Sequence, residues 1–129
     1  MPVSLINLSK LKEHERIDKN HLVKIKHLIE KSGVFKEPII VDKDNLVILD
    51  GHHRFNSCKQ LGLTKIPCVT VDYLNDPKIK VVTRRKEFVV NKKNVIDMGL
   101  GKKVFPANTT KHYIPYRIKQ LKIPIKKLI

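Results

Sequence analysis

Residues 47–62, VILDGHHRFNSCKQLG, decide the fold. Val47, Ile48 and Leu49 make a short apolar strand that runs directly into Asp50-Gly51-His52-His53-Arg54. A helix follows with Phe55, Cys58 and Leu61 on one side, and Gly62 stands where a helix is closed by glycine. A strand-to-helix turn of this kind aims bare backbone N–H groups and the positive end of the helix dipole at one spot. Gly51 lets an anion approach the backbone closely, and two imidazoles and a guanidinium surround it. A phosphate group is the simplest guest for this turn.

Outward from it, Val3 to Leu8 alternates as a first strand, and Ser9 to Arg16 is a polar connection. Asp18 or Asn20 caps a helix that runs to about Lys31, buries Leu22, Ile25, Leu28 and Ile29, and ends at Gly33. Pro38 to Val41 is a second strand, Asp42 to Asn45 a turn, and Leu46 to Leu49 the returning arm of a hairpin. Ile66 to Val71 is the next strand. Lys80–Thr83 and Phe88–Val90 read as short strands, and Lys92–Met98 as a short helix ended by Gly99. Phe105 to His112 is a loop entering a helical turn capped by Asn108 or Thr109. Leu121 to Ile129 alternates but carries Pro124, which restricts it to an edge strand or an extended arm.

A chain of 129 residues with 41% hydrophobic and 30% charged content is ordinary for one soluble domain. No apolar run approaches the roughly 20 residues that cross a bilayer, and the N-terminus lacks the blocks of a signal peptide, so a cytoplasmic protein without membrane contact is expected. Cys58 and Cys68 form neither a disulfide framework nor a zinc site and read as small buried residues of a reducing compartment. The formal charge of +15 favours anionic partners. Lys102, Lys103, Lys111, Arg117, Lys119, Lys122, Lys126 and Lys127 close the chain without an acid among them. Two readings of that charge stand: a nucleic-acid footprint, or the lysine-rich surface of a thermophile protein.

The order of strand, helix, GVFKEPIIV (33–41), hairpin, DGHHR (50–54), helix and LGLTKIPCV (61–69) resembles the ParB/sulfiredoxin superfamily. Asp50 with the two histidines is most similar, within it, to the archaeal free L-serine kinases. VFPANTTKHYIPYRI (104–118) is similar to the C-terminal end of that kinase family, and Glu15 falls within its Lys-x-His-Glu context at Lys12-Glu13-His14-Glu15. The resemblance spans nearly the whole chain except 75–91, to which nothing is carried over. It implies an α+β fold, a small mixed sheet with packed helices, in which 1–74 form the nucleotide-binding core and 75–129 complete the active site of a single compact domain. It also implies transfer of the terminal phosphate of ADP or ATP, with Mg²⁺, to the hydroxyl of free L-serine, giving O-phospho-L-serine for cysteine biosynthesis.

Phosphoryl transfer needs held phosphates, compensating charge and a carboxylate at the hydroxyl. By the resemblance Glu15 is the base; taken alone it is an ordinary carboxylate in a polar loop. Asp50 is a catalytic, metal-ligating or ribose contact, although Asp in this place most often caps the following helix. Gly51, His52, His53 and Arg54 hold phosphate; of the two imidazoles the sequence alone leaves either as a solvated bystander, and the resemblance implies that His53 is the phosphate contact. A cation such as Arg54 in a first helical turn opposes the dipole, which calls for an anionic partner. By the resemblance Thr109, Thr110, Lys111 and His112 close over the phosphates from the other side, as hydroxyls and N–H groups at a helix start can; taken alone they are a plain N-cap with a solvated Lys and His. Val34 and Phe35 line the serine pocket or simply pack in the core.

Three rivals differ in class. A ParB-like, nucleotide-dependent DNA-binding regulator would use the charge, but the chain after residue 74 offers no helix pair suited to a helix-turn-helix. A sulfiredoxin-like reductase needs a nucleophilic cysteine where His52 stands, and Cys58 lies too far along the helix to replace it. A nucleotide-binding domain without catalysis would result if Glu15 were idle.

Overall fold

The run Ile39–Asp42 forms strand β3, buried along its whole length at the centre of the sheet. The computed structural model describes residues 2–115 and 117–129. Its other elements are β1 (Ser4–Asn7), α1 (Lys19–Ser32), β2 (Val34–Phe35), β4 (Ile48–Asp50), α2 (His52–Gln60), β5 (Lys65–Val71), β6 (Lys80–Thr83), α3 (Lys92–Leu100), β7 (Thr110–Tyr113) and β8 (Ile123–Pro124). The main sheet has the order β1-β5-β3-β4, with β3 parallel to β5 and the two outer pairs antiparallel. This is the mixed sheet with packed helices expected of an α+β domain. Two small antiparallel pairs, β2 with β8 and β6 with β7, flank it.

Strand periodicity sorts the core. Ile39, Val41, Ile48, Ile66 and Cys68 pack with Ile29 of α1 and Phe55 and Cys58 of α2. Their neighbours Ile40, Val47, Leu49, Val69 and Val71 pack on the opposite face with Tyr73, Val95, Ile96 and Phe105. A sheet covered on both faces explains why β3 and β5 read as continuous apolar runs. Burying a side chain such as Phe55 contributes about 1.5–3 kcal/mol. Among the described residues no helix is long and apolar enough to cross a membrane.

Several boundaries follow the sequence. Asp18 caps α1 by accepting from the N–H groups of Asn20 and His21, and Gly33 closes the helix at φ 70°. Cys58 and Cys68 are buried free thiols, which burial pushes up to about 12, so both are protonated packing groups. The C-terminal tail is a two-residue strand followed by a 3-10 turn, Ile125–Leu128, that plants Leu128 in the core.

Other boundaries differ. Leu28 is 61% exposed, because α1 turns Leu22 and Ile29 inward and leaves Leu28 on its flank. Phe88–Val90 is not a strand: Phe88 sets its ring edge-on to Phe105, and the chain leads into the capping box formed by Asn91 and Asn94. Helix α3 continues through Gly99 to Leu100; the glycine does not end the helix but permits its close approach to Val47 beside β4, since a Cβ there would lie 2.6 Å from both Val47 methyls. Residues 105–112 do not enter a helical turn. Asn108 adopts φ 60°, and Thr110–Tyr113 then pairs with β6 as strand β7. The connection 9–16 is less solvated than its composition suggests. Lys12 bridges to Val47, Glu15 bridges to Phe105, and His14 is fully buried.

Candidate active site

Gly51 is the N-cap of α2 at φ 112°, and no side chain caps this end. A Cβ there would lie 2.3 Å from Ile39 Cγ2, so the turn can pass over β3 only as glycine. Asp50 is therefore the last residue of β4 and not the helix cap. Its carboxylate instead faces Arg54, at 3.7 Å, and accepts from Arg117. Burial favours the neutral acid at Asp50, but Arg54, Arg117 and His112 outweigh it and hold the carboxyl below its ordinary range. Arg54 Nη1 also donates to the carbonyls of Pro38 (2.9 Å) and Glu37 (3.2 Å), which fixes the guanidinium at the mouth of the turn.

The two histidines of the turn have separate environments. His52 is buried, and its Nε2 accepts the His14 N–H at 3.2 Å. His53 is half-buried; its Nε2 accepts the Asp18 N–H at 2.9 Å and its ring stands 4.5 Å from His21. Burial, and next the neighbouring His21, lower His53.

The floor of the site is a group of uncharged imidazoles packed edge to face. His14 lies 4.5 Å from His52 and 5.7 Å from His112, ring centre to ring centre, both edge-on. Burial lowers His14 to about 4 against the opposing bond to the Ile48 carbonyl. His112 is pushed to about 3, first by burial and then by His14, and hydrogen-bonds the Tyr73 hydroxyl at 2.9 Å. His52 lies well below the ordinary range because of burial and then its three imidazole neighbours. Above this floor Glu15 Oε1 accepts from the Thr110 N–H at 2.7 Å and the Thr110 hydroxyl at 2.8 Å.

These elements enclose a polar cleft of about 360 Å³. Glu15, Asp50, Gly51, His52, His53, Arg54, Thr110, Lys111 and His112 all line it, so most of the residues singled out in the sequence converge here from three separate stretches. Thr109 stands apart: it is fully buried and its hydroxyl donates to the Pro106 carbonyl at 2.6 Å. Val34 and Phe35 line a neighbouring apolar groove of about 720 Å³, which shares His21, Ile25 and Arg54 with the cleft. Sequence reasoning missed Arg84, Asn108 and Arg117. Arg84 and Arg117 sit in acid-poor stretches, a signal of free cations but not of their position. Arg54, Arg84, Lys111 and Arg117 face two carboxylates across the cleft, a surplus of positive charge that suits a di- or triphosphate.

The model of the ParB N-terminal domain matches residues 1–84. The chain belongs to that family. Members similar to this ParB-type domain include the ATP-dependent L-serine kinase of Staphylothermus marinus, 37% identical over 83 residues, or 61% of this chain and 32% of that protein. The ADP-dependent L-serine kinase SerK of Thermococcus kodakarensis is 35% identical over 82 residues, 60% of this chain and 34% of that protein. The matched part is thus about a third of the length of these curated relatives. In three dimensions the domain resembles a free serine kinase solved in complex with AMP, at TM-score 0.89 and 17% identity over 98% of this chain and 93% of that one. That likeness shows the shared fold across both stretches, including the part beyond residue 84.

Proposed function

We propose that the cleft transfers the terminal phosphate of ADP or ATP to the hydroxyl of free L-serine. The observation that carries this reading is the placement of the Glu15 carboxylate in the same cation-rich cleft as the uncapped N-terminus of α2. Residues 1–74 act as the nucleotide-binding core, and 75–129 complete the site through Thr110, Lys111, His112 and Arg117. The product, O-phospho-L-serine, would serve cysteine biosynthesis in the cytoplasm.

The Gly51 turn receives phosphate oxygens on backbone N–H groups, with Arg54 and His53 adding charge-assisted bonds. Lys111, Arg84 and Arg117 approach from the β6–β7 side and offset charge on the transferred group. Glu15 takes the serine proton as the hydroxyl oxygen attacks phosphorus. The serine side of the site is the apolar groove beside Val34 and Phe35, which the shared residues Ile25 and Arg54 connect to the phosphate site.

Among the described residues no group of three His, Cys, Asp or Glu side chains could hold a metal ion by itself. Mg²⁺ usually keeps one or two carboxylates plus substrate phosphates, so it would enter with the nucleotide and meet Asp50. There it would neutralise phosphate charge. Purified protein incubated with L-serine, Mg²⁺ and either donor tests the reading. Phosphoserine from one donor, lost in Arg54→Ala, supports it and identifies the donor. No product with either, together with salt-sensitive DNA retention, would favour the ParB-like regulator.

A further inference from the structure

Tyr73, just past β5, is fully buried, and its hydroxyl lies 2.9 Å from His112 Nε2. In a pair of this kind either group can donate, but here only one arrangement uses every proton. Among the described residues His112 Nε2 is the hydrogen-bond partner of this hydroxyl. Were the ring proton on Nε2, the phenol hydrogen would be buried without an acceptor, which folded chains avoid. Burial, and next Asp42, push the Tyr73 hydroxyl up, so it keeps the proton that it donates. Nε2 is therefore the acceptor, and the proton of the neutral ring sits on Nδ1.

That Nδ1 belongs to the cleft. Thr110 and His112 alternate onto one side of β7, and both line the cleft. Among the described residues no buried side-chain nitrogen or oxygen lacks a hydrogen-bond partner. His112 Nδ1 bonds to none of these residues, so it is an atom that solvent reaches. The groups acting on the ring are His14, Asp50, Arg117 and Lys92, and of these Asp50 and Arg117 line the cleft too. A second imidazole of the cleft is set in the same way. His53 Nε2 accepts the Asp18 N–H at 2.9 Å, which leaves its proton on Nδ1 as well. One tautomer is held by a backbone amide and the other by a phenol.

We infer that Tyr73 is a positioning residue of the phosphate site: by donating to His112 Nε2 it holds the ring proton on Nδ1 and so presents a donor to the phosphate oxygens of the nucleotide. The inference rests on the reading of the cleft as the nucleotide site. The opposite tautomer would turn a lone pair toward those oxygens, so the phenol decides whether His112 attracts or repels them. A neutral donor also suits its neighbours, because Arg54, Arg84, Lys111 and Arg117 already supply positive charge and would repel an imidazolium. Tyr73 acts through His112 alone. Its ring is packed in the core among Val95, Ile96 and Phe105, with the Lys92 ammonium 5.6 Å from the ring centre, and this packing keeps the hydroxyl on the imidazole.

Tyr73→Phe keeps the ring and its packing and removes only the hydroxyl. Long-range ¹H–¹⁵N spectra of the full chain without nucleotide at neutral pH should show His112 Nδ1 protonated and Nε2 bare, the resonances being assigned by their loss in His112→Asn. In Tyr73→Phe both nitrogens should move toward the average of the two tautomers. ADP affinity should fall about five- to tenfold, the scale of one net hydrogen bond. In the His112→Asn background Tyr73→Phe should cause no further loss, since the phenol then has no imidazole to set. A wild-type His112 protonated on Nε2, or on both nitrogens, overturns the inference whatever the affinities. Undiminished ADP affinity in Tyr73→Phe overturns it too, as do losses that multiply in the double variant. Failure of the wild type to bind ADP overturns the nucleotide reading itself and the inference with it; the spectra, recorded without nucleotide, tell the two failures apart.

Discussion

Glu15 and Thr110, 95 positions apart in the chain, are joined by two hydrogen bonds to a single carboxylate oxygen, at 2.7 and 2.8 Å. The pair ties the segment before α1 to strand β7 and so holds the two walls of the cleft together. Glu15→Ala removes both bonds and should lower the free energy of unfolding by about 1–2 kcal/mol. Urea denaturation of the variant against the wild type reads this directly, and an unchanged midpoint would show that the pair carries no strain-free stability of its own.

Gly99 and Val47 set up a second test. In an ordinary helix interior Gly→Ala stabilises by roughly 0.5–1 kcal/mol. Here the new methyl would stand 2.6 Å from both Val47 methyls, and overpacking of that kind costs about 1–3 kcal/mol. Gly99→Ala should therefore destabilise. Combined with Val47→Ala it should cost less than the sum of the single losses, since the clash is relieved in the double variant. Additive losses would place the two residues out of contact.

The imidazole floor gives stability a defined pH dependence. His14 and His112 hold values of about 4 and about 3 in the folded protein against 6.5 in the unfolded chain, and His52 is lowered as well. Below pH 6.5 the unfolded chain binds protons that the folded chain refuses, so stability falls as pH drops from about 6.5 toward 4. Each such histidine contributes a slope of up to about 1.4 kcal/mol per pH unit in that window. Urea midpoints at pH 7.0, 5.5 and 4.5 should decline in that order. Equal midpoints at pH 7.0 and 4.5 would mean that the histidines titrate normally in the folded state.

Arg84 and Arg117 line the cleft from outside the turn and should act on nucleotide affinity. Arg84→Ala and Arg117→Ala are each expected to weaken ADP binding by about 1.5–3 kcal/mol, the scale of a charged hydrogen bond, and to reduce its salt dependence. Calorimetric titration at two ionic strengths checks both effects. Arg117→Ala should also remove one of the cations that hold Asp50 ionised.

The turn at 50–54 was legible because strand, glycine and helix follow one another locally, and each has its own signature. The continuous apolar runs of β3 and β5 likewise placed the core. What sequence hid was long-range. Strand β7 forms because β6 offers it a partner, so a Thr-Thr-Lys-His stretch that locally suits a helix start becomes a strand. His14 looked like part of a polar loop, yet the bridge from Lys12 to Val47 draws the segment onto the sheet and buries it. Asp50 matched the residue preference for a cap, but the strand extends to include it and two arginines take its carboxylate. Leu28 obeyed helical periodicity, yet α1 meets its neighbours over a narrower face than the apolar stripe suggests.

The most direct measurement follows phosphoserine formation from L-serine with ADP or ATP in wild-type protein and Glu15→Gln, with nucleotide affinity determined for both. The account predicts product from the wild type. It predicts that Glu15→Gln binds the nucleotide comparably and forms product at least about a hundredfold more slowly, as loss of a general base requires. Phosphoserine at an undiminished rate from Glu15→Gln, or none from the wild type with either donor, would contradict it.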